Sequence, residues 1–181
     1  MNSRLRILCA LTFTLTPFAA YAADDAHAFD FDFGRWHVHM QRLENPLTGS
    51  THWFEMDGTV DVKKVWDGKA NLAEVEADGG PKGHLEIIAL RLYDPQAHQW
   101  SINFASSGVG TFGVPLVGMF KNGRGEFYDQ EPYNGRMIWI RFVVFPTGPS
   151  SARSEQAFSA DDGKAWEVNW INTYTRNEKA G

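Results

Sequence analysis

Phe31-Asp32-Phe33-Gly34-Arg35-Trp36 introduces the first strand of this chain. Gly34 suits a turn that has no room for a side chain. The indole two residues later has the bulk to plug the closed end of a β-barrel. From Trp36 onward apolar and polar residues alternate with period two, and β-branched and aromatic residues are bounded by Gly, Pro, Asn and Asp at all-β spacing.

The pattern predicts about nine or ten strands, over residues 36–43, 51–66, 70–77, 83–93, 98–105, 116–121, 125–131, 135–145, 151–159 and 165–176. The turns between them carry their own chemistry. Among them are Trp66-Asp67-Gly68-Lys69, Lys121-Asn122-Gly123, Tyr133-Asn134-Gly135 and Asp161-Asp162-Gly163-Lys164. Sequential hairpins make an antiparallel meander. A meander this long either closes on itself or exposes aggregation-prone edges, so an all-β closed barrel of nine or ten strands is the expected fold.

Residues 1–22 have the layout of an export signal: Arg4 and Arg6, an apolar run from Ile7 to Phe18, and the small-residue site Ala20-Tyr21-Ala22. The expected domains are therefore a signal peptide, 1–22, and one barrel, 23–181, in a periplasmic or secreted protein. Removing 22 of the 181 residues leaves 159, enough for one domain that buries on the order of 70% of its unfolded surface. The only cysteine, Cys9, lies in the signal, so the mature chain must hold together by packing without disulfides. It retains all seven tryptophans for that purpose. Its 15 basic and 22 acidic residues leave a charge of −7, which argues against nucleic acid as a partner. No segment approaches the roughly 20 apolar residues of a membrane-spanning helix.

Several local patterns carry no chemistry. Gly108-Val109-Gly110-Thr111-Phe112-Gly113 matches a dinucleotide fingerprint, but Pro115 and a short strand follow where a helix N-terminus is required. Asp32-Phe33-Gly34 mimics a kinase metal-binding tripeptide with no catalytic loop behind it. Ser159 to Trp166 fits the Ser-x-Asp-x-Gly-x-x-Trp hairpin, in which the carboxylate binds turn amides, and reads as structural. His37 and His39 share a strand face, yet Trp36, Val38 and Met40 form the apolar parity and leave both imidazoles outside. No metal and no cofactor is assigned.

Two arginines stand within apolar strands, Arg91 in Leu90-Arg91-Leu92 and Arg141 in Ile140-Arg141-Phe142. An arginine inside a barrel needs a partner, and Glu55, Glu74, Glu155 and Glu167 are the candidates. One reading is an internal anion site around Arg141; the other puts these arginines on the outer face, and the doubly apolar strand leaves both open. Parity is equally open in the last strand, where Trp166, Val168 and Trp170 alternate with Glu167, Asn169 and Ile171. Arg176 at its end is placed to pack over Trp36 and lock the last strand to the first, together with Gly34.

The entrance Phe31 to Trp36, the Tyr93-Asp94-Pro95 to Trp100 hairpin, the stretches Arg136 to Phe142 and Glu155 to Ser159, and the exit Trp166 to Arg176 recur in one order. With these the chain resembles the lipocalin and calycin architecture. More closely it resembles a bacterial family of exported lipocalin-like proteins with no established activity. The resemblance implies a barrel with a cavity and no particular chemistry.

The leading expectation is a carrier that binds a small hydrophobic or amphipathic ligand, oriented by Arg141, Glu155, Asn169, Glu55, Trp53 and Arg91, and acting as a monomer or homodimer. It is favoured by an aromatic interior without a nucleophile motif. The alternatives are an acid/base enzyme with Glu55, His39 or Glu155 as proton carrier, and an envelope-interaction module with a filled barrel.

Overall fold

A computed structural model describes residues 25–81 and 83–176; the expected signal segment, 1–22, with Cys9, lies outside them. Ten strands follow in order: β1 (Gly34–Leu43), β2 (Trp53–Val65), β3 (Ala70–Gly80), β4 (Gly83–Asp94), β5 (Gln99–Ser106), β6 (Leu116–Lys121), β7 (Arg124–Tyr133), β8 (Arg136–Gly148), β9 (Ser151–Ser159) and β10 (Glu167–Thr175). Each pairs antiparallel with its chain neighbours, and β10 pairs with β1 to close the barrel. The expected all-β meander is thus the observed fold, and closure leaves no edge strand to aggregate.

Register sets the inside and the outside. Val38 stands opposite Tyr174 and Met40 opposite Asn172 across the closing seam, and Trp36 faces Val60 on β2. These residues share the inward parity with Ala73, Ala89, Ile102, Phe127, Ile140 and Ala152, all of them core. Burying such aromatic and branched side chains contributes about 1.5–3 kcal/mol each, which lets a disulfide-free chain hold its shape.

The two ends of the barrel differ because the connections differ. At one end the loops are the short turns 66–69, 95–98, 122–123 and 149–150; the longer loops 44–52, 107–115 and 160–166 crowd the other. The short-loop end is closed by the chain entrance, which makes two single turns of 3-10 helix, Asp25–His27 and Asp30–Asp32. Phe29 enters the barrel from below, edge-on to Trp100 at 5.0 Å and to Phe120 at 4.8 Å. Gly125 makes room for this cluster, since a Cβ there would stand 2.8 Å from both the Phe120 and Phe127 rings.

Polar contacts hold the plug in place. The Asp32 carboxylate pairs with the Arg91 guanidinium, both side chains being buried, and Arg91 also donates to Asn71 Oδ1 at 3.3 Å and lies 4.5 Å over the Phe29 ring. Trp36 Nε1 donates to the Asp32 carbonyl at 2.8 Å. Arg176 sits 4.0 Å over the Trp36 ring and donates to the carbonyls of Phe33 (2.6 Å) and Phe31 (3.2 Å). The expected closure by Gly34, Trp36 and Arg176 is observed, and Gly34 has a φ of +103°, which an L side chain rarely adopts.

The buried pair makes a direct test. Arg91→Met alone strands the Asp32 carboxylate and should lower stability by about 3–5 kcal/mol in urea denaturation. Pairing it with Asp32→Leu should recover most of that loss. An additive double variant would show that the two side chains are not coupled.

Candidate functional site

Above the plug, the inward side chains change from sealed to reachable. Those near the floor, such as Trp36, Val62 and Phe127, are buried, whereas Val75, Ile87, Phe104, Phe142 and Trp170 toward the long-loop end are only half-buried although they point inward. In a closed barrel this exposure means a lumen that solvent enters through the mouth. Its walls are mainly aromatic and aliphatic, with Phe104 edge-on to Phe142 at 5.7 Å. Loop 44–52 reaches over part of the mouth, where the Leu47 amide donates to Glu167 Oε1 at 2.6 Å.

A small set of polar groups interrupts that apolar wall. Asp129 shares its strand face with Gly125 and Phe127, stands opposite Ile140, and is 7% exposed. Neither of its carboxylate oxygens has a hydrogen-bond partner among the described residues. Burial first, and then the negative charge of Glu131 two residues on, push its pKa from 3.8 up to about 7. On β9 and β10, Ser154 Oγ lies 2.9 Å from the Tyr174 hydroxyl and accepts from Asn172 Nδ2 at 2.9 Å, leaving Asn172 Oδ1 unpartnered. Burial pushes the Tyr174 phenol up to about 12, so it stays neutral. Gln156 Nε2 donates to Asn169 Oδ1 at 3.0 Å, and Asn169 Nδ2 and Trp170 Nε1 are buried without partners among the described residues.

Asn169 owes its place to a β-bulge. Glu167 pairs with Phe158 and Trp170 with Gln156, so the register shifts between Val168 and Trp170. The extra residue turns both Glu167 and Trp170 inward, and neither of the two alternating sets expected from the sequence prevails. Arg42 ends the inward row of β1 and stacks 4.3 Å over Trp170; desolvation lowers its pKa.

Other expected ligand residues lie elsewhere. Arg141 is on the outer wall, because its register neighbour Phe142 takes the lumen side opposite Phe127. Its guanidinium lies 4.6 Å over Trp166, which packs edge-on to Tyr128. Tyr128 donates in turn to Glu126 Oε2 at 3.0 Å, and Arg124 binds the other oxygen at 3.0 Å and holds that carboxyl below its usual pKa. This outer ladder shields Val143, which explains why β8 is apolar on both faces. Glu155 is also outside, bound to Arg153 at 2.6 Å. Glu55 is outside and exposed, accepting from Gln41 at 3.2 Å, and Trp53 shares its parity with 41% exposure. Arg91 does face inward, but it belongs to the floor, and its partner is Asp32 rather than any of the four glutamates considered.

His39 lies on the outer wall 2.9 Å from Asp57, and among the described residues no group of three or more His, Cys, Asp or Glu is placed to hold a metal ion. The Ser159 to Trp166 hairpin is structural as expected. Asp161 Oδ1 accepts from the Ser159 hydroxyl at 2.8 Å and the Ala165 amide at 2.9 Å, and these contacts lower its pKa. The glycine-rich loop folds back on β5 through an Ala105–Phe112 bridge. Under it runs a groove of about 470 Å³, lined by Glu74, Glu76, Glu86 and Ile88 of the outer parity and also by Val75 and Ile87 of the inward parity.

Asp129, Asn172 and Trp170 were not among the residues expected to bind a ligand. Asp129 did leave a signal, since it falls on the strand parity of Gly125 and Phe127, with Glu131 and Tyr133 beyond it.

Neither a protein-family model nor a curated protein sequence matches the chain. Solved structures do. The S-type phycobiliprotein lyase CPES from Guillardia theta aligns over 83% of this chain and 90% of its own with a TM-score of 0.57 at 10% identity. A redesigned β-barrel bound to DFHBI aligns over 81% of this chain and 99% of its own, with a TM-score of 0.44 at 10% identity. At such identity the likeness to the lyase is one of fold alone, a lipocalin-like barrel.

The raised pKa of Asp129 links stability to pH. The folded state holds this proton up to about pH 7 and the unfolded chain only to about pH 4, so ionisation progressively destabilises the fold as pH rises between those values. Asp129→Asn should lack that dependence. The stability difference between the two proteins should therefore open in favour of the variant across this window, to a ceiling on the order of 4 kcal/mol at pH 8. A constant difference from pH 4 to 8 in urea titrations would contradict the assignment.

Proposed function

We propose that this protein is an exported bacterial lipocalin-like binding protein that holds a small amphipathic molecule in its lumen. The observation that carries the reading is the coexistence, on the inward face, of half-buried aromatic walls with unpartnered polar atoms at Asp129, Asn169, Trp170 and Asn172. A buried polar group without a partner costs roughly 1–3 kcal/mol, and a ligand that supplies the missing partners recovers that energy as affinity. The sealed floor gives such a ligand one route in, through the long-loop end. Export rests on the sequence alone, with residues 1–22 as the signal and Ala23 as the first mature residue.

A second reading, acid/base catalysis, is favoured by one observation: the Asp129 carboxyl, pushed up to about 7, is poised to exchange a proton near neutral pH. Glu55, His39 and Glu155 do not serve that role, because all three lie on the outer wall.

Native mass spectrometry of protein purified from its own periplasm, before and after organic extraction, should show a small-molecule adduct that extraction removes, on a polypeptide beginning at Ala23. A clean apo mass would shift the balance toward an enzyme that releases its product. Two variants then locate the site. Phe142→Trp enlarges a side chain of the lumen wall and should reduce ligand retention by about tenfold or more, whereas Arg141→Leu on the outer wall should leave retention unchanged. Equal effects of the two variants, at matched melting temperatures, would place the ligand outside the lumen.

A further inference from the structure

We propose that the lumen selects ligands bearing a basic nitrogen, an ammonium or amidinium group on an apolar body, and that Asp129, seconded by Glu131, receives that group. The inference rests on the lumen-binding reading and names its ligand class.

Three observations support it. Asp129 is a nearly fully buried carboxyl of inward parity with both oxygens unpartnered among the described residues. Glu131 shares its strand face two residues closer to the mouth, so two acids line one route inward. Finally, the basic side chains of inward parity are engaged or peripheral: Arg91 is held by Asp32 at the floor, Lys64 stands exposed over the Phe33 ring at that same end, Arg42 stacks on Trp170, and Arg136 stands exposed at the rim. The influences on the Asp129 carboxyl, burial and Glu131, both disfavour its charge and neither compensates it. A bound cation would compensate that charge, which makes the site more receptive to a base than to an anion or a neutral head. An aromatic wall then suits the apolar body, and Trp170 and Phe142 offer π faces to cationic groups.

The test uses the mature protein after organic extraction, titrated by calorimetry at pH 7 with dodecylamine, dodecanol and dodecanoate below their aggregation concentrations. These three share a chain and differ in the head. Wild type should bind dodecylamine about tenfold or more tighter than dodecanoate, with dodecanol between. Asp129→Asn should remove most of the amine preference while leaving dodecanol affinity within about twofold, and Glu131→Gln should reduce the preference by about threefold. Glu131→Gln also covers the case in which the Asp129 variant folds poorly. The variant Glu76→Gln/Glu86→Gln, at the outer-parity residues of the groove, should change nothing.

Dodecanoate binding as tightly as dodecylamine, or an amine preference that survives Asp129→Asn, would overturn the proposal while leaving a lumen-binding protein. A preference lost in Glu76→Gln/Glu86→Gln instead would place the amine outside and overturn it as well. Failure of all three probes to bind wild type would remove the lumen reading itself and this proposal with it.

Discussion

The barrel depends on the ion pair between Asp32 and Arg91, because it ties the entering chain to the inside of the wall it must close. Arg91 on β4 faces inward at a level where a charge without a partner could not be tolerated, and Asp32 arrives from a single helical turn laid across the opening. The same turn delivers Phe29 to the aromatic cluster and the Asp32 carbonyl to the Trp36 indole. Arg176 then clamps the carbonyls of Phe31 and Phe33 from the far end of the chain, so the first and last strands meet over one plug. Closure, floor and the two ends of the described barrel are held together at one place.

Having one end sealed determines where function can reside. The floor is packed with rings at edge-on and stacked distances, which leaves no room for a ligand, while the aromatic walls toward the long loops remain reachable. Polar groups in that upper region are unevenly satisfied. Ser154, Tyr174 and Asn172 bind one another, whereas Asp129 has no hydrogen-bond partner among the described residues. A carboxyl kept in an apolar wall without compensation is expensive for the fold alone, and this is why it is the natural centre of a recognition site.

The outer wall matters through what it keeps out of the lumen. Arg141, Trp166, Tyr128, Glu126 and Arg124 form a continuous ladder that covers apolar residues of β8 from outside. With Arg141 there, and Glu155 occupied by Arg153, the upper lumen is left with Asp129 and Glu131, which no arginine among the described residues neutralises. The electrostatic character of the interior is therefore the reverse of the one an inward Arg141 would have created.

The ten strands and the closing contact of Arg176 with Trp36 were legible in the sequence because they rest on local chemistry. Asn-Gly and Asp-Gly turns demand left-handed backbone, period-two alternation demands strands, and a Gly before a Trp followed by a terminal Arg restricts how the seam can pack. What the sequence by itself determined is this all-β meander and its closed end. Which residues face the lumen was decided only by the tertiary structure. On β8 both faces are apolar, so alternation could not choose between Arg141 and Phe142. In β10 a bulge turns both Glu167 and Trp170 inward, which no alternation rule anticipates. Asp32 became the partner of Arg91 across 59 positions for the same reason: inward charge is satisfied by whatever the closed barrel brings near, and only closure settles what that is.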